Sequence, residues 1–81
     1  MNDSEILERI TEIASEELED DNLVLTMQTI ATDVPGWDSL AHVRIVVAVE
    51  RAYRTRFETG QITSLKNVGD LVRLVQASGP A

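Results

Sequence analysis

Apolar residues recur with a helical period near the start of the chain. Their spacing, one face of a helix, is seen at Ile6, Leu7, Ile10, Ile13, Ala14 and Leu18. Asn2, Asp3 and Ser4 are residue types that cap a first turn. The acidic run that begins at Glu16 places negative charge where the helix dipole disfavours it. We therefore expect a first helix that ends near Glu17, followed by a solvated acidic stretch.

A second, wider apolar segment begins after Ser39. Its apolar positions are Leu40, Val43, Ile45, Val46, Val47, Ala48 and Val49. They occupy more than one stripe, which indicates burial on more than one side. The many valines would also suit a strand, but the length of the segment and the cap residues Asp38 and Ser39 favour a helix over residues 39–54. The polar positions expected to face water are Arg44, Arg51 and Arg54. Val47, in helical register with Leu40 and Val43, is expected to be interior.

The rest of the chain contains a long connection and two further helical segments. Residues 19–37 form the connection, and a helical turn is expected over Thr26–Ile30. The apolar side chains of the connection are expected to cover one end of the core: Leu23, Val24, Leu25, Met27 and Ile30. A short helix is predicted from Thr59 through Leu65. Asn67 then caps a last helix, with apolar positions at Val68, Leu71, Val72 and Val75, and Gly79–Pro80 stops it. The pattern predicts an all-α fold, a small antiparallel four-helix bundle of three main helices and one short helix with a long first loop.

Composition narrows the class of partner. The 81 residues carry a net charge of −7, with ten acids and one base in residues 1–33 (net −9) and four acids and six bases in residues 34–81 (net +2). Phosphate binding needs basic patches, so nucleic acid is not expected as a partner. The chain has no cysteine, which excludes disulfides and thiolate metal sites, and we expect no bound metal.

The same composition bounds organisation and location. No apolar run approaches the roughly 18–20 residues of a membrane span, and the acidic N-terminus lacks a signal-peptide pattern. A chain of 81 residues makes one small domain. We expect residues 1–81 to form a single domain of a discrete, monomeric, cytoplasmic protein.

The candidate chemistry lies at Ser39. The Pro35–Gly36 turn exposes this hydroxyl at a helix start, and Trp37 should anchor the turn on the core. Free N–H groups and the dipole at a helix N-terminus favour anions, so a phosphodiester built on Ser39 would be well placed. The plain alternative is a serine that only caps the helix. A catalytic nucleophile is disfavoured, because the one histidine, His42, lies three residues on along the same helix and cannot easily reach the hydroxyl.

The stretch Gly36-Trp37-Asp38-Ser39-Leu40, followed by an apolar helix, resembles the attachment site of acyl carrier proteins. The resemblance runs from about residue 4 to residue 78. It implies that Ser39 carries 4′-phosphopantetheine, moved from coenzyme A by a separate phosphopantetheinyl transferase with Mg²⁺, and that Asp38 supports this modification. The arm's thiol would hold acyl groups as thioesters for acyl-loading, condensing or acyl-transfer enzymes of fatty-acid, polyketide or related lipid biosynthesis. The protein itself would not be an enzyme.

The resemblance also assigns expectations to the second helix. Leu40 would lie beside the arm, and the candidates for lining an acyl cavity, while also serving as ordinary core, are Val43, Val47 and Ile62. Typical fatty-acid carriers present an acidic second helix, whereas this one offers Arg44 and Arg51, which we expect to dock mixed or acidic enzyme surfaces. Two alternatives remain open: a peptidyl or aminoacyl carrier, which more often has a Gly-Gly-His/Asp-Ser-Leu pattern, and an unmodified helical interaction module.

Overall fold

A computed structural model describes residues 2–78 as four α-helices and one 3-10 turn. The helices are α1 (Asp3–Leu18), α2 (Ser39–Tyr53), α3 (Thr59–Thr63) and α4 (Val68–Ser78), and the 3-10 turn spans Ala31–Asp33. Helix α1 packs against both α2 and α4. The predicted all-α bundle of three main helices and one short helix is confirmed, and the expected stop at Gly79–Pro80 lies outside the described residues. Within residues 2–78 no helix is long and apolar enough to cross a membrane.

Both ends of α1 are closed by local hydrogen bonds. The Asn2 side-chain oxygen accepts the N–H of Glu5 at 2.9 Å, which satisfies one donor of the first turn. Glu19 adopts the left-handed conformation, with φ of 54°. The next N–H, that of Asp20, then returns to the carbonyl of Ser15 at 3.0 Å. This reversal places the helix end one residue later than the acidic run suggested.

The core of the described chain is a single apolar cluster, and α2 contributes one face to it. The largest fully buried side chains are Ile6, Ile10, Ile45, Val46, Val49, Val72 and Val75. On α2 the buried stripe runs through Ala41, Ile45, Val46 and Val49. The expectation that Val47 is interior is wrong, because 37% of Val47 is exposed, as are 60% of Leu40 and 54% of Val43. With valines on every side, the apolar pattern could not show which stripe faces α1.

The long loop between α1 and α2 covers the core only in part. Leu25 is buried and Leu23 and Met27 pack against the core, whereas Val24 and Ile30 are exposed. The expected helical turn over Thr26–Ile30 is a tight turn instead, in which the Thr29 N–H donates to the Thr26 carbonyl at 3.1 Å. The Thr29 hydroxyl in turn accepts the Thr26 N–H at 2.8 Å. The helical turn lies further on, at Ala31–Asp33.

The loop is attached to the start of α4. The N–H groups of Val68 and Gly69 donate to the carbonyls of Thr29 and Met27, both at 2.8 Å, so the loop accepts two of the donors that a helix leaves unpaired. The backbones approach so closely that a Cβ at Gly69 would lie 2.7 Å from the Met27 carbonyl oxygen. Asn67 completes this N-terminus by accepting the Asp70 N–H at 2.8 Å, which confirms its capping role.

Asp70 links the start of α4 to its second turn. Its carboxylate accepts from Arg73 at 2.8 Å and from the N–H of Lys66 at 2.9 Å. The hydrogen bond from Arg73, followed by the one from Lys66, holds the pKa of Asp70 below its usual value, because both favour the charged form. The exposed pair thus tightens the first turn of α4.

Helix α3 is shorter than the sequence pattern suggested. It ends at Thr63 rather than at Leu65, and its N-cap is Glu58. The Gln61 side-chain oxygen accepts the Glu58 N–H at 2.9 Å, which is half of a capping box. Ile62 is partly buried and packs against the core, and no residue of α3 is fully buried. Helix α3 therefore lies at the edge of the bundle and not within its core.

Candidate functional site

A tight turn directly precedes α2. The Trp37 N–H donates to the Val34 carbonyl at 3.1 Å, which closes a turn with Pro35 and Gly36 at its centre. Gly36 has φ of 85°, the left-handed value that the third position of a type II turn requires and that glycine adopts without strain. Trp37 is 8% exposed and belongs to the core cluster. The predicted anchoring of the turn by Trp37 is confirmed.

At the start of α2, one residue caps the helix and the next carries the candidate hydroxyl. Asp38 is the N-cap, and its carboxylate accepts the Ala41 N–H at 2.8 Å. Ser39 is the first helical residue and is exposed. Among the hydrogen bonds of residues 2–78, none involves the Ser39 hydroxyl. The plain alternative, a serine that caps the helix, is therefore wrong, because Asp38 performs that role.

Two backbone donors at the start of α2 lack an acceptor. The N–H groups of Ser39 and Leu40 find no acceptor within the described residues, whereas those of Ala41 and His42 are paired with Asp38. Unpaired N–H groups and the positive end of the helix dipole favour an anion. The exposed hydroxyl and these donors therefore fit a phosphodiester linked through Ser39.

Trp37 and His42, which lie on either side of Ser39 in the sequence, form a hydrogen-bonded pair. The indole N–H donates to His42 Nδ1 at 3.2 Å, and the ring centroids lie 6.3 Å apart. This nitrogen of His42 is thus engaged by the indole and not by Ser39, which argues against a base for a serine nucleophile. Sequence reasoning missed the pair. The only signal was that the single tryptophan and the single histidine flank the same motif.

An open groove of about 610 Å³ begins at Ser39. Trp37 and His42 form one wall with Val43, and Ile62 lies on the α3 side. The groove is mainly apolar, as the site for a carried organic group would be. Of the expected acyl-cavity residues, the structure brings Val43 and Ile62 together beside Ser39. Val47 lies elsewhere.

Leu40 and Val47 point to the outer face of α2. Leu40 borders a hollow of about 350 Å³ that also contacts Arg44. Val47 borders a second hollow, of about 300 Å³, together with Arg51 and Arg54. Exposed apolar and basic side chains share this face and the C-cap residue that follows it, which together we call the outer face of α2: Leu40, Val43, Arg44, Val47, Arg51 and Arg54.

The basic groups of the outer face are not neutralised internally. Arg44 and Arg51 are exposed, and within residues 2–78 neither forms an ion pair. Glu50, the one acid in the body of α2, has its carboxylate occupied by the Phe57 N–H at 2.7 Å. The arginines of the outer face are exposed, as the sequence predicted, although Glu17, Glu19 and Asp38 line the same hollow as Arg44. In the part of the chain that the structure describes, no group of acidic or histidine side chains could hold a metal ion.

Comparison with known proteins now bears on this geometry. No protein-family model matches the chain. The solution structure of the holo acyl carrier protein of Geobacter metallireducens superposes with a TM-score of 0.83 at 41% identity, covering 90% of this chain and 84% of that one. The acyl carrier protein of Phenylobacterium zucineum (strain HLK1) is 32% identical over 73 residues, which span 90% of this chain and 92% of the relative. The chain belongs to the acyl carrier protein family. It is a carrier and not an enzyme.

Membership in the acyl carrier protein family indicates which features of the site a carrier would use. A carrier needs an accessible attachment point and a surface for partner enzymes, and it needs no base for its hydroxyl. The unbonded Ser39 hydroxyl, the groove beside it and the outer face of α2 supply candidates for these features. The engaged nitrogen of His42 is consistent with a protein that performs no reaction of its own.

Proposed function

We propose that Ser39 carries a 4′-phosphopantetheine arm, placed there from coenzyme A by a phosphopantetheinyl transferase. The observation that carries the proposal is the exposed, unbonded hydroxyl at the start of α2, with the free N–H groups of Ser39 and Leu40 beside it. The Geobacter relative, described as the holo form, supports the same reading. Asp38 holds the helix start in place, so the hydroxyl projects from a fixed turn.

When bound, the arm supplies a thiol that holds an acyl group as a thioester. This chain's own residues would then shelter and present that group. Val43 and Ile62 offer apolar contact in the groove beside Ser39, and Leu40 flanks the attachment point on its other side. Val47 is reassigned from the acyl cavity to the outer face of α2. The proposal is a monomeric cytoplasmic carrier that serves acyl-loading, condensing or acyl-transfer enzymes of fatty-acid, polyketide or related lipid biosynthesis.

The attachment is tested by intact mass after incubation with coenzyme A and a promiscuous transferase. Wild type should gain one phosphopantetheine and Ser39→Ala none. Ser4→Ala is a matched control, because Ser4 is also an exposed serine in the first turn of a helix, and this variant should be loaded like wild type. An unmodified wild type would refute the carrier proposal and favour an unmodified interaction module. A modified Ser39→Ala would place the arm elsewhere.

We propose further that the outer face of α2 docks partner enzymes through Arg44 and Arg51. Both are exposed and form no ion pair in the described chain, and Leu40, Val43 and Val47 offer apolar contact on the same face. Complementary charge sets encounter rate and partner choice, and like charges that face each other are penalised. The partners that fit best have acidic or mixed carrier sites with an apolar centre.

Charge reversal tests this docking proposal. The measurement is the loading rate by a fatty-acid pathway enzyme whose carrier site is basic. Arg44→Glu plus Arg51→Glu should load faster than wild type at low salt, and the advantage should shrink as salt rises. Arg9→Glu plus Lys66→Glu makes the same change in net charge outside α2 and should gain much less. Equal rates for the wild type and the α2 variant at all salt concentrations would show that these arginines do not govern docking.

A further inference from the structure

The Trp37–His42 pair has no part in the attachment proposed above. The chain contains one tryptophan and one histidine, and the structure joins them by a hydrogen bond of 3.2 Å from the indole N–H to His42 Nδ1. Trp37 is held in the core, so the indole restrains the imidazole from a fixed position. The rings are tilted by 36°, and both line the groove that begins at Ser39.

The hydrogen bond determines which nitrogen of His42 is a donor. A neutral imidazole has one N–H and one bare nitrogen. Because Nδ1 accepts from the indole, the proton lies on Nε2. The outer nitrogen of the ring is therefore a donor without an acceptor among the described residues.

Helix geometry places the His42 ring near the attachment point, and both residues line the same groove. Side chains on a helix tilt toward its N-terminus, and residues three apart have Cβ atoms about 5–6 Å from each other. His42 lies three residues after Ser39, so its ring leans back over the first turn. The hydroxyl oxygen itself makes no hydrogen bond with the ring among the described residues, but the phosphoryl oxygens of an arm on Ser39 would extend away from the backbone into the groove.

We propose that His42, oriented by Trp37, is a positioning residue that donates its Nε2–H to the phosphodiester on Ser39. The contact fixes the direction in which the arm leaves the helix, along the groove toward Val43 and Ile62. This inference rests on the proposed attachment at Ser39. It adds a side-chain donor to the backbone N–H groups and gives the engaged histidine a role.

The test uses the loaded protein and reads the phosphodiester directly by phosphorus NMR. Loading is first verified by intact mass for every variant. His42→Phe keeps a planar ring but removes the donor, and its phosphorus resonance should shift from the wild-type position. His42→Gln retains an amide donor near the position of Nε2 and should return the resonance toward wild type. A merely structural role for the ring would give neither the shift nor the rescue.

Two measurements keep the inference falsifiable if a variant unfolds. In wild type, a long-range proton–nitrogen spectrum of the single histidine should show Nε2 protonated in the apo form and a shifted Nε2 signal in the holo form. Trp37→Phe, which removes the indole donor, should mix the two tautomers of His42. A holo spectrum identical to the apo spectrum, or a phosphorus resonance unmoved in His42→Phe, would overturn the inference while leaving the attachment intact. A wild type that cannot be loaded would overturn both.

Discussion

The contact between the long loop and α4 makes Gly69→Ala an informative perturbation. A Cβ at this position would lie 2.7 Å from the Met27 carbonyl oxygen and 3.2 Å from the Asn67 side-chain oxygen. The nearer atom is backbone and cannot swing aside, so the loop must move away from α4. The hydrogen bonds from Val68 to Thr29 and from Gly69 to Met27 would lengthen together.

The expected magnitude follows from these contacts. Weakening two hydrogen bonds removes about 0.5–1.5 kcal/mol each, and overpacking a close contact adds about 1–3 kcal/mol. The better helix propensity of alanine offsets about 1 kcal/mol. We expect Gly69→Ala to lower the free energy of unfolding by roughly 1–5 kcal/mol.

The matched control is Gly60→Ala. Gly60 lies in the short helix α3, and a Cβ there would meet no atom within 4 Å. The same substitution should stabilise the protein by about 0.5–1 kcal/mol, because it reduces the entropy of the unfolded chain. Urea denaturation followed by circular dichroism measures both variants. If Gly69→Ala were as stable as wild type while Gly60→Ala were stabilised, the loop would not contact α4 as closely as the structure describes.

Three further predictions concern stability. Asp38→Ala should cost about 1 kcal/mol, because it removes the cap of α2, whereas Ser39→Ala should leave the denaturation midpoint unchanged; equal losses would contradict the assignment of the cap. Val49→Ala should destabilise by about 1.5–3 kcal/mol, and Val47→Ala by less than about 1 kcal/mol because its side chain is partly in water; the reverse order would invert the faces of α2. The pKa of Asp70 is lowered in the folded protein from its unfolded value of 3.8, so the ionised carboxylate contributes stability above that pH, and this contribution is lost as pH falls through the lower folded pKa. Wild type should therefore lose more stability in acid than Asp70→Asn. Parallel profiles of stability against pH for the two proteins would refute this linkage.

The helices that the sequence predicted well are those with one apolar stripe. On α1 the stripe through Ile6, Ile10 and Ile13 is the buried face, so period and burial agree. On α2 the apolar residues cover most of the circumference, and hydrophobicity alone could not separate the buried Ile45 from the exposed Val47. That choice depends on α1, which packs against only one face of α2.

The loop and the site show the same division between local and distant interactions. The Pro35–Gly36 turn has local chemistry and was predictable. The attachment of the loop to α4 joins residues about forty positions apart in sequence, such as Thr29 and Val68, and no local pattern encodes it. At the site, the sequence indicated that both Asp38 and Ser39 could cap α2. Only the structure shows that the Asp38 carboxylate, and not the Ser39 hydroxyl, accepts the Ala41 N–H.

The separation of cap and hydroxyl at Asp38 and Ser39 also has a thermodynamic consequence. Because the Ser39 oxygen makes no hydrogen bond within the described chain, esterifying it breaks none. The arm can then change stability only through the contacts that it adds in the folded state, such as those with the N–H groups of Ser39 and Leu40, since a ligand shifts a folding equilibrium only through interactions that differ between the folded and unfolded states. A transferase that adds the arm, or a hydrolase that removes it with water, would meet the same capped helix start. Loading and unloading could cycle without any opening of the bundle.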